Sequence, residues 1–182
     1  MLAVVGGSSV ARAEAPAAGD SRVGDNRGVL VSGAIFGGTG DGIAVGAEGS
    51  LGWGVTRWLA PIARASIASV FDRNDGWREL QLGARVWPEP VATPWFSFEL
   101  HGGHLTFSEE YECPFPSTPP GTCYGGTGTG YSYGVAGRVQ VRSRHASFDV
   151  FLGHDRMHWR DFSEGYRDHA SFTRAGLGFS FY

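Results

Sequence analysis

Residues 43–55 read IAVGAEGSLGWGV and change character at every second position. One set of alternate positions carries Ile43, Val45 and Leu51, and the other set carries only glycine, alanine, serine and Glu48. A period of two places successive side chains on opposite faces of a β-strand. This stretch therefore predicts a strand with one apolar face and one face of small and polar side chains.

The same period recurs to the end of the chain and predicts eight strands in all. They lie at 28–37, 43–55, 59–71, 79–86, 96–101, 131–141, 148–153 and 174–181. Glycine accounts for 29 of the 182 residues, and no apolar run approaches the roughly 18 residues of a membrane-spanning helix. An alternating strand can cross a bilayer without such a run, so the composition leaves soluble all-β folds and outer-membrane barrels open.

The segments that join the predicted strands alternate in length and character. The first, third, fifth and seventh are glycine-rich, charged or long, and lie at 37–42, 72–76, 108–130 and 157–170. The other three are short, at 55–61, 87–94 and 142–146. Outer-membrane barrels have brief periplasmic turns and longer outer loops. The order therefore favours an all-β fold, an eight-stranded antiparallel up-and-down transmembrane β-barrel with both termini in the periplasm.

The polar faces of the predicted strands carry balanced charges among glycine, alanine and serine. They include five acids and five arginines: Glu48, Arg64, Glu79, Arg85, Glu99, Arg138, Arg142, Asp149, Asp155 and Arg174. Small side chains suit the narrow lumen of an eight-stranded barrel, and an interior of low dielectric requires opposite charges to be paired. We therefore predict that these ten side chains form an ion-pair network that fills the lumen.

Aromatic residues lie near both ends of the predicted strands. Trp53, Trp58, Trp87 and Trp95 lie near the short turns, and Phe71, Trp77, Phe107, Tyr131 and Trp159 lie near the longer links. Girdles of aromatic rings mark both interfaces of the lipid-facing band of a membrane barrel. We therefore predict two aromatic girdles; the alternative is that these rings cap the core of a soluble barrel.

The sequence resembles the small outer-membrane β-barrel proteins of Gram-negative bacteria, in the broad group that includes the OmpA-like transmembrane domain. The resemblance covers about 28–182 and rests on the strand alternation, the order of turns and links, and the aromatic ending RAGLGFSFY at 174–182. It implies a location in the outer membrane, reached by secretion through the inner membrane. It also implies contact with outer-membrane lipid and lipopolysaccharide.

The same resemblance implies that the last strand is presented to the barrel-assembly machinery. In this ending Tyr182 is out of phase with the lipid-facing set Leu177, Phe179 and Phe181. We expect the peptidoglycan-binding module of full-length OmpA-like proteins to be missing.

Two features near the start and middle of the chain indicate an oxidising compartment. Residues 1–15 end in Ala-Glu-Ala and predict a clipped secretory signal, followed by a periplasmic tail at 16–27 and the barrel domain at 28–182. An ordinary disordered N-terminus is the alternative. Cys113 and Cys123 are predicted to form a disulfide that stabilises the loop by roughly 2–3 kcal/mol.

Histidine, serine and carboxylate combinations are the candidates for a catalytic or metal site. His-x-Ser occurs at His145–Ser147 and at His169–Ser171, and only the second, with Glu164 or Asp168, would face the leaflet that holds lipid A. We expect the histidine pairs 101/104 and 154/158 to need a bulge to share a strand face. We therefore predict no catalytic site, no metal and no cofactor.

The sequence thus predicts a monomeric outer-membrane barrel with a structural or adhesive role and a lumen that conducts little or nothing. Contact with an extracellular ligand or surface is expected through the loops 108–130 and 157–170. A net charge of −3 and the lack of basic patches with interleaved aromatics argue against nucleic-acid binding. Two alternatives stay open: a lipid A-modifying outer-membrane hydrolase, and a soluble lipocalin-like binder whose apolar faces surround a hydrophobic ligand.

Overall fold

The computed structural model describes residues 26–40, 42–71, 75–90, 92, 94–108, 126–143, 145–161 and 167–182. Its strands are β1 (Gly28–Thr39), β2 (Ile43–Gly54), β3 (Leu59–Val70), β4 (Gly76–Val86), β5 (Phe96–Ser108), β6 (Thr127–Arg142), β7 (Ala146–Asp161) and β8 (Arg167–Phe181). Each pairs antiparallel with its neighbours in chain order, and β8 pairs with β1 to close the barrel. The predicted eight-stranded up-and-down barrel is confirmed.

Several sequence-based predictions fall outside the described residues. They are the secretory signal at 1–15, most of the tail at 16–27, and the disulfide between Cys113 and Cys123. These stay predictions. No helix in the part of the chain that the structure describes is long and apolar enough to cross a membrane.

The last four strands are longer than the period of two predicts, and β5 runs to Ser108 instead of ending at 101. β6 begins at Thr127, β7 continues to Asp161 and β8 begins at Arg167, so parts of the predicted loops 108–130 and 157–170 belong to strands. The segment TGTG at 127–130 shows no apolar alternation because glycine is needed where backbones approach closely. A methyl group at Gly130 would lie 2.6 Å from the Cα of Trp159 in β7.

The alternation places large apolar side chains on the outside of the barrel. Leu82 and Val141 are 73% and 76% exposed, whereas the lumen side of the strands holds buried arginines, glutamates and glutamines. Soluble proteins show the opposite distribution. The soluble lipocalin-like alternative is therefore wrong in its central requirement, which is that the apolar faces point inward.

The inside of the barrel has an apolar cluster at each end and a polar layer between them. We call the end with the links β1–β2, β3–β4, β5–β6 and β7–β8 the loop end, and the other end the turn end. The loop-end cluster consists of Phe36, Ala44, Ala68, Trp77, Leu105, Phe151, Met157 and Phe172. The turn-end cluster consists of Leu30, Ala60, Ile62 and Trp87, with the ring of Tyr182 packed against it.

Only part of the two predicted aromatic girdles faces outward. The exposed members are Trp53, Trp58, Trp95, Phe71 and Tyr131. The prediction was wrong for four others. It rested on the position of each residue along its strand and ignored its phase, that is, which of the two strand faces the residue occupies. Trp77 and Trp87 share the phase of Arg85 and are buried in the lumen. Phe107 and Trp159 are partly buried against the loop-end cluster.

The close approach of β4 and β5 predicts a difference between two glycines. A methyl group at the lumen-facing Gly103 would lie 2.6 Å from the Cα of Gln81, whereas one at Gly137 would meet only Phe96 at 3.9 Å. Gly103→Ala should lower the free energy of unfolding by about 1–3 kcal/mol, and the control Gly137→Ala by less than about 0.5 kcal/mol. Urea titration in detergent micelles measures both. Equal effects would contradict this account of the barrel wall.

Candidate functional site in the lumen

Glu48 on β2 is the most highly connected charge in the lumen. Its carboxylate pairs with Arg138 of β6 at 2.6 Å, with Arg64 of β3 at 3.2 Å, and with Arg174 of β8. Because Arg138 is anchored on the far side of the barrel from β2, these contacts cross the full width of the lumen. One carboxylate thus connects four strands.

Glu99 on β5 forms a second centre that shares arginines with the first. Its Oε2 accepts Nε of Arg138 at 2.9 Å and Nη2 of Arg85 at 3.1 Å, and its Oε1 lies 3.7 Å from Arg64. Arg138 and Arg64 therefore each bridge Glu48 and Glu99. Through this sharing, each of the two buried carboxylates contacts three guanidinium groups.

Asp155 on β7 extends the network to a histidine. Its carboxylate pairs with Nε of Arg174 at 2.6 Å, and Nε2 of His101 lies 2.5 Å from Oδ1. His101 is itself buried, as expected for a histidine in phase with Glu99. This contact fixes the imidazole across the lumen from β5 to β7.

The structure brings most of the ten predicted lumen residues into one continuous set of ion pairs. The members are Glu48, Arg64, Arg85, Glu99, Arg138, Asp155 and Arg174. The other three take different surroundings. Glu79 accepts from the hydroxyl of Ser66 at 2.6 Å, and Asp149 accepts from Ser147 and Ser180. Arg142 lies at the turn end.

Amides and hydroxyls complete the polar layer, and these residues were not singled out from the sequence. Gln81 donates to Glu79 at 3.2 Å and to Ser132 at 2.7 Å. Gln140 donates to Asp149 at 3.1 Å and accepts from the indole of Trp87 at 3.2 Å. The alternation of the strands could have predicted these glutamines. Each occupies the same set of alternate positions as the charged residues of its strand.

Tyr182 closes the turn end from inside the barrel. Its hydroxyl accepts from Gln140 at 2.9 Å, and the guanidinium of Arg142 lies 3.9 Å from its ring centroid. Arg142 also donates to Asn26, which in turn donates to the carbonyl of Arg57 at 2.6 Å. The out-of-phase terminal aromatic thus packs in the lumen, while the neighbouring Phe181 faces outward.

Aromatic rings cover the network on its loop-end side. The guanidinium of Arg138 lies 4.7 Å from the ring centroid of Phe151, and that of Arg174 lies 5.3 Å from the ring centroid of Phe36. Stacking a cation on an aromatic face is favourable and excludes water from one side of the charge. The lumen is therefore occupied from the turn-end cluster, through the charged layer, to the loop-end cluster.

The catalytic candidates lie away from this network. His169 and Ser171 are exposed on the outer face of β8, and the imidazole of His169 stacks on that of His158 with centroids 6.1 Å apart. Glu164 and the side chain of Asp168 lie outside the described residues. The hydrolase alternative therefore stays a prediction.

The other His-x-Ser pair, at positions 145 and 147, is split between the turn and the lumen. His145 is exposed in the β6–β7 turn, and Ser147 faces the lumen, where its hydroxyl donates to Asp149 at 2.6 Å. Among the described residues, no three histidine, cysteine or acidic side chains lie close enough to hold a metal ion. The expectation that His154 and His158 need a bulge was wrong, because positions four apart share one strand face, and both point outward on β7.

Comparison with known proteins identifies the fold class. No family model matches the chain, and no curated protein matches it. Neisserial surface protein A matches with a TM-score of 0.59 at 10% sequence identity, covering 84% of this chain and 94% of that one. The N-terminal β-barrel domain of Pseudomonas aeruginosa OprF matches with a TM-score of 0.51 at 14% identity, covering 85% and 97%. The resemblance to the small outer-membrane barrels is thus confirmed at the level of the fold.

Removing the carboxylate at the centre of the network should be costly. Glu48→Ala removes the carboxylate common to Arg64, Arg138 and Arg174 and leaves buried positive charge uncompensated, so the free energy of unfolding should fall by about 3–5 kcal/mol. Arg78→Ala, at an exposed position of β4, should change it by less than about 0.5 kcal/mol. Urea unfolding in micelles compares the two variants. Losses of similar size would show that Glu48 is solvated rather than paired.

Proposed function

We propose that this chain is a monomeric barrel of the outer membrane of a Gram-negative bacterium, with a structural or adhesive role and a sealed lumen. The observation that carries the proposal is the distribution of its side chains. Arginines and glutamates are fully buried inside, and large apolar residues cover the outside. The function involves no catalytic step and needs no cofactor.

Lipid is the surrounding that suits this outer face. Water in contact with an apolar band around the whole barrel would be unfavourable, and soluble monomers rarely expose contiguous apolar patches of more than a few hundred Å². In a bilayer the same band is solvated by acyl chains, and every backbone group of a closed barrel stays hydrogen-bonded. The fold shared with Neisserial surface protein A supports the same location.

Assembly into the membrane would use the last strand. Phe179 and Phe181 present exposed aromatic rings on the outer face of β8, while Tyr182 is held in the lumen. We propose that this outward set is what the barrel-assembly machinery meets. The route to the membrane would be secretion through the inner membrane, directed by residues 1–15.

The loop end is the side on which a structural or adhesive role would be exercised. The links 109–126 and 162–166 join β5 to β6 and β7 to β8 at this end, and β6, β7 and β8 are longer than the other five strands. Those links contain five aromatic residues, four glutamates and both cysteines. They would contact an extracellular ligand or surface.

A filled lumen predicts that the protein passes no ion current. Four arginines and Phe151 are among the largest fully buried side chains and lie across the barrel, so ions would have to break the Glu48 and Glu99 pairs to pass. Purified protein inserted into planar lipid bilayers should leave the current at the level of the protein-free membrane. Insertion is verified by protection of the strands from protease. Discrete current steps of constant amplitude would contradict a sealed lumen.

Shortening one loop should separate adhesion from folding. Replacing residues 109–125 with a short glycine-serine turn should leave the barrel assembled but reduce attachment of cells displaying it to surfaces and to each other. The matched control inserts an equally short turn in place of 88–94 at the turn end, keeps the buried Trp87, and should leave attachment unchanged. A shortened variant that still attaches like the parent would rule out an adhesive role for this loop.

A further inference from the structure

The outer face of β6, β7 and β8 changes from apolar to polar at a defined row. The strand register sets Gly137, Leu152 and Ala175 side by side in the last apolar row. Toward the loop end, three more rows of outward-facing residues follow. They are Val135–His154–Thr173, Tyr133–Arg156–Ser171 and Tyr131–His158–His169. This surface is apolar toward the turn end and polar toward the loop end. It therefore suits an amphipathic molecule, with one apolar part and one polar part.

These polar rows lie on the part of the barrel that extends beyond the shorter strands. Thr39, the last residue of β1, pairs with Thr173, which in turn pairs with His154. The rows that contain Arg156 and His158 therefore lie past the end of β1 in the register. β5 pairs with β6 as far as Ser108 opposite Thr127, which sets His104 beside Tyr131, so the rows belong to a four-stranded extension. Its outer face continues from the lipid-facing band.

Stacked rings make a flat wall on this extension. The imidazole of His158 lies 4.9 Å from the ring of Tyr131 and 6.0 Å from that of Tyr133, with interplanar angles of 21° and 13°. His169 stacks on the other side of His158. We call Tyr131, Tyr133, Arg156, His158 and His169 the outer-face patch. Its rings stand nearly parallel and carry phenol hydroxyls and imidazole nitrogens, which are hydrogen-bonding groups.

The charge on the outer face of the strands is of one sign. Among the described side chains, the charged residues on this face are the arginines 78, 156 and 160, because Glu48, Glu79, Glu99, Asp149 and Asp155 all point into the lumen. Arg156 is exposed in the middle of the patch, between Tyr133 and Ser171. The patch therefore complements an anion.

We infer that the outer-face patch binds the phosphorylated headgroup of lipid A, the lipid portion of lipopolysaccharide, with its acyl chains against the apolar rows below. A guanidinium forms paired, charge-assisted hydrogen bonds with phosphate oxygens, and tyrosine suits the boundary between acyl chains and headgroups. This inference rests on the proposed outer-membrane location, since that leaflet supplies the lipid.

Binding of lipid A to the purified full-length protein in nonionic micelles tests the inference. Phosphorylated lipid A should bind the parent saturably, and Arg156→Gln should weaken its affinity about tenfold or more, because a charged hydrogen-bond donor is lost. Arg156→Lys keeps the positive charge but loses the paired hydrogen bonds of the guanidinium. Its affinity for lipid A should lie between those of the parent and Arg156→Gln. Arg78→Gln removes an outward arginine of β4 outside the patch and should bind like the parent.

Two further arms separate the possible outcomes. Dephosphorylated lipid A should bind much more weakly than the phosphorylated form, and inorganic phosphate alone should neither bind nor compete. Equal binding of both lipids, or loss of binding in Arg78→Gln as large as in Arg156→Gln, would overturn the inference. If the parent folds only in micelles yet binds no lipid A, the headgroup site fails and the membrane proposal stands; if it folds without detergent, the membrane proposal itself fails.

Discussion

The pairing of buried arginines with Glu48 and Glu99 is the constraint on which the rest of this barrel depends. A guanidinium loses several kcal/mol of hydration when it enters a low-dielectric interior, and it regains that only from well-placed carboxylates. Arg138 meets this need by bridging both glutamates at 2.6 and 2.9 Å. Once polar side chains take the inward positions of every strand, the period of two sends the apolar ones outward. The apolar outer surface is thus a consequence of what fills the lumen.

Two apolar clusters complete this arrangement by isolating the charges from both ends. Tyr182 and Trp87 close the turn end, and rings such as Phe151 lie over the arginines toward the loop end. Water entering the layer would compete for the same hydrogen bonds, so the aromatic covers strengthen the ion pairs beneath them. Under the proposal of a sealed lumen, the loop end and the outer face would be the surfaces that meet other molecules.

Much of this could be predicted from the sequence because the fold is periodic. Alternation in 43–55 and its repeats predicted the strand number, the topology and the lumen position of charges such as Glu48 and Arg174. Position along a strand was a poorer guide than phase, as Trp77 and Trp87 show by pointing inward. The first four residues of β6, at 127–130, were not predicted as strand. Their glycines allow the backbones of β6 and β7 to approach closely, but they show no apolar alternation. The particular partners of each carboxylate depend on contacts across the lumen, such as Glu48 with Arg138, that no local pattern encodes.

The most direct test of an inside-out barrel is its requirement for a lipid-like solvent. The full-length chain is unfolded in urea and diluted into buffer with or without detergent micelles, and samples are run on an SDS gel with and without boiling. The account predicts a folded species only with detergent, migrating differently from the boiled chain because the closed barrel resists SDS. A monomer that folds in plain buffer would show that its apolar face is not directed at lipid and would contradict the account.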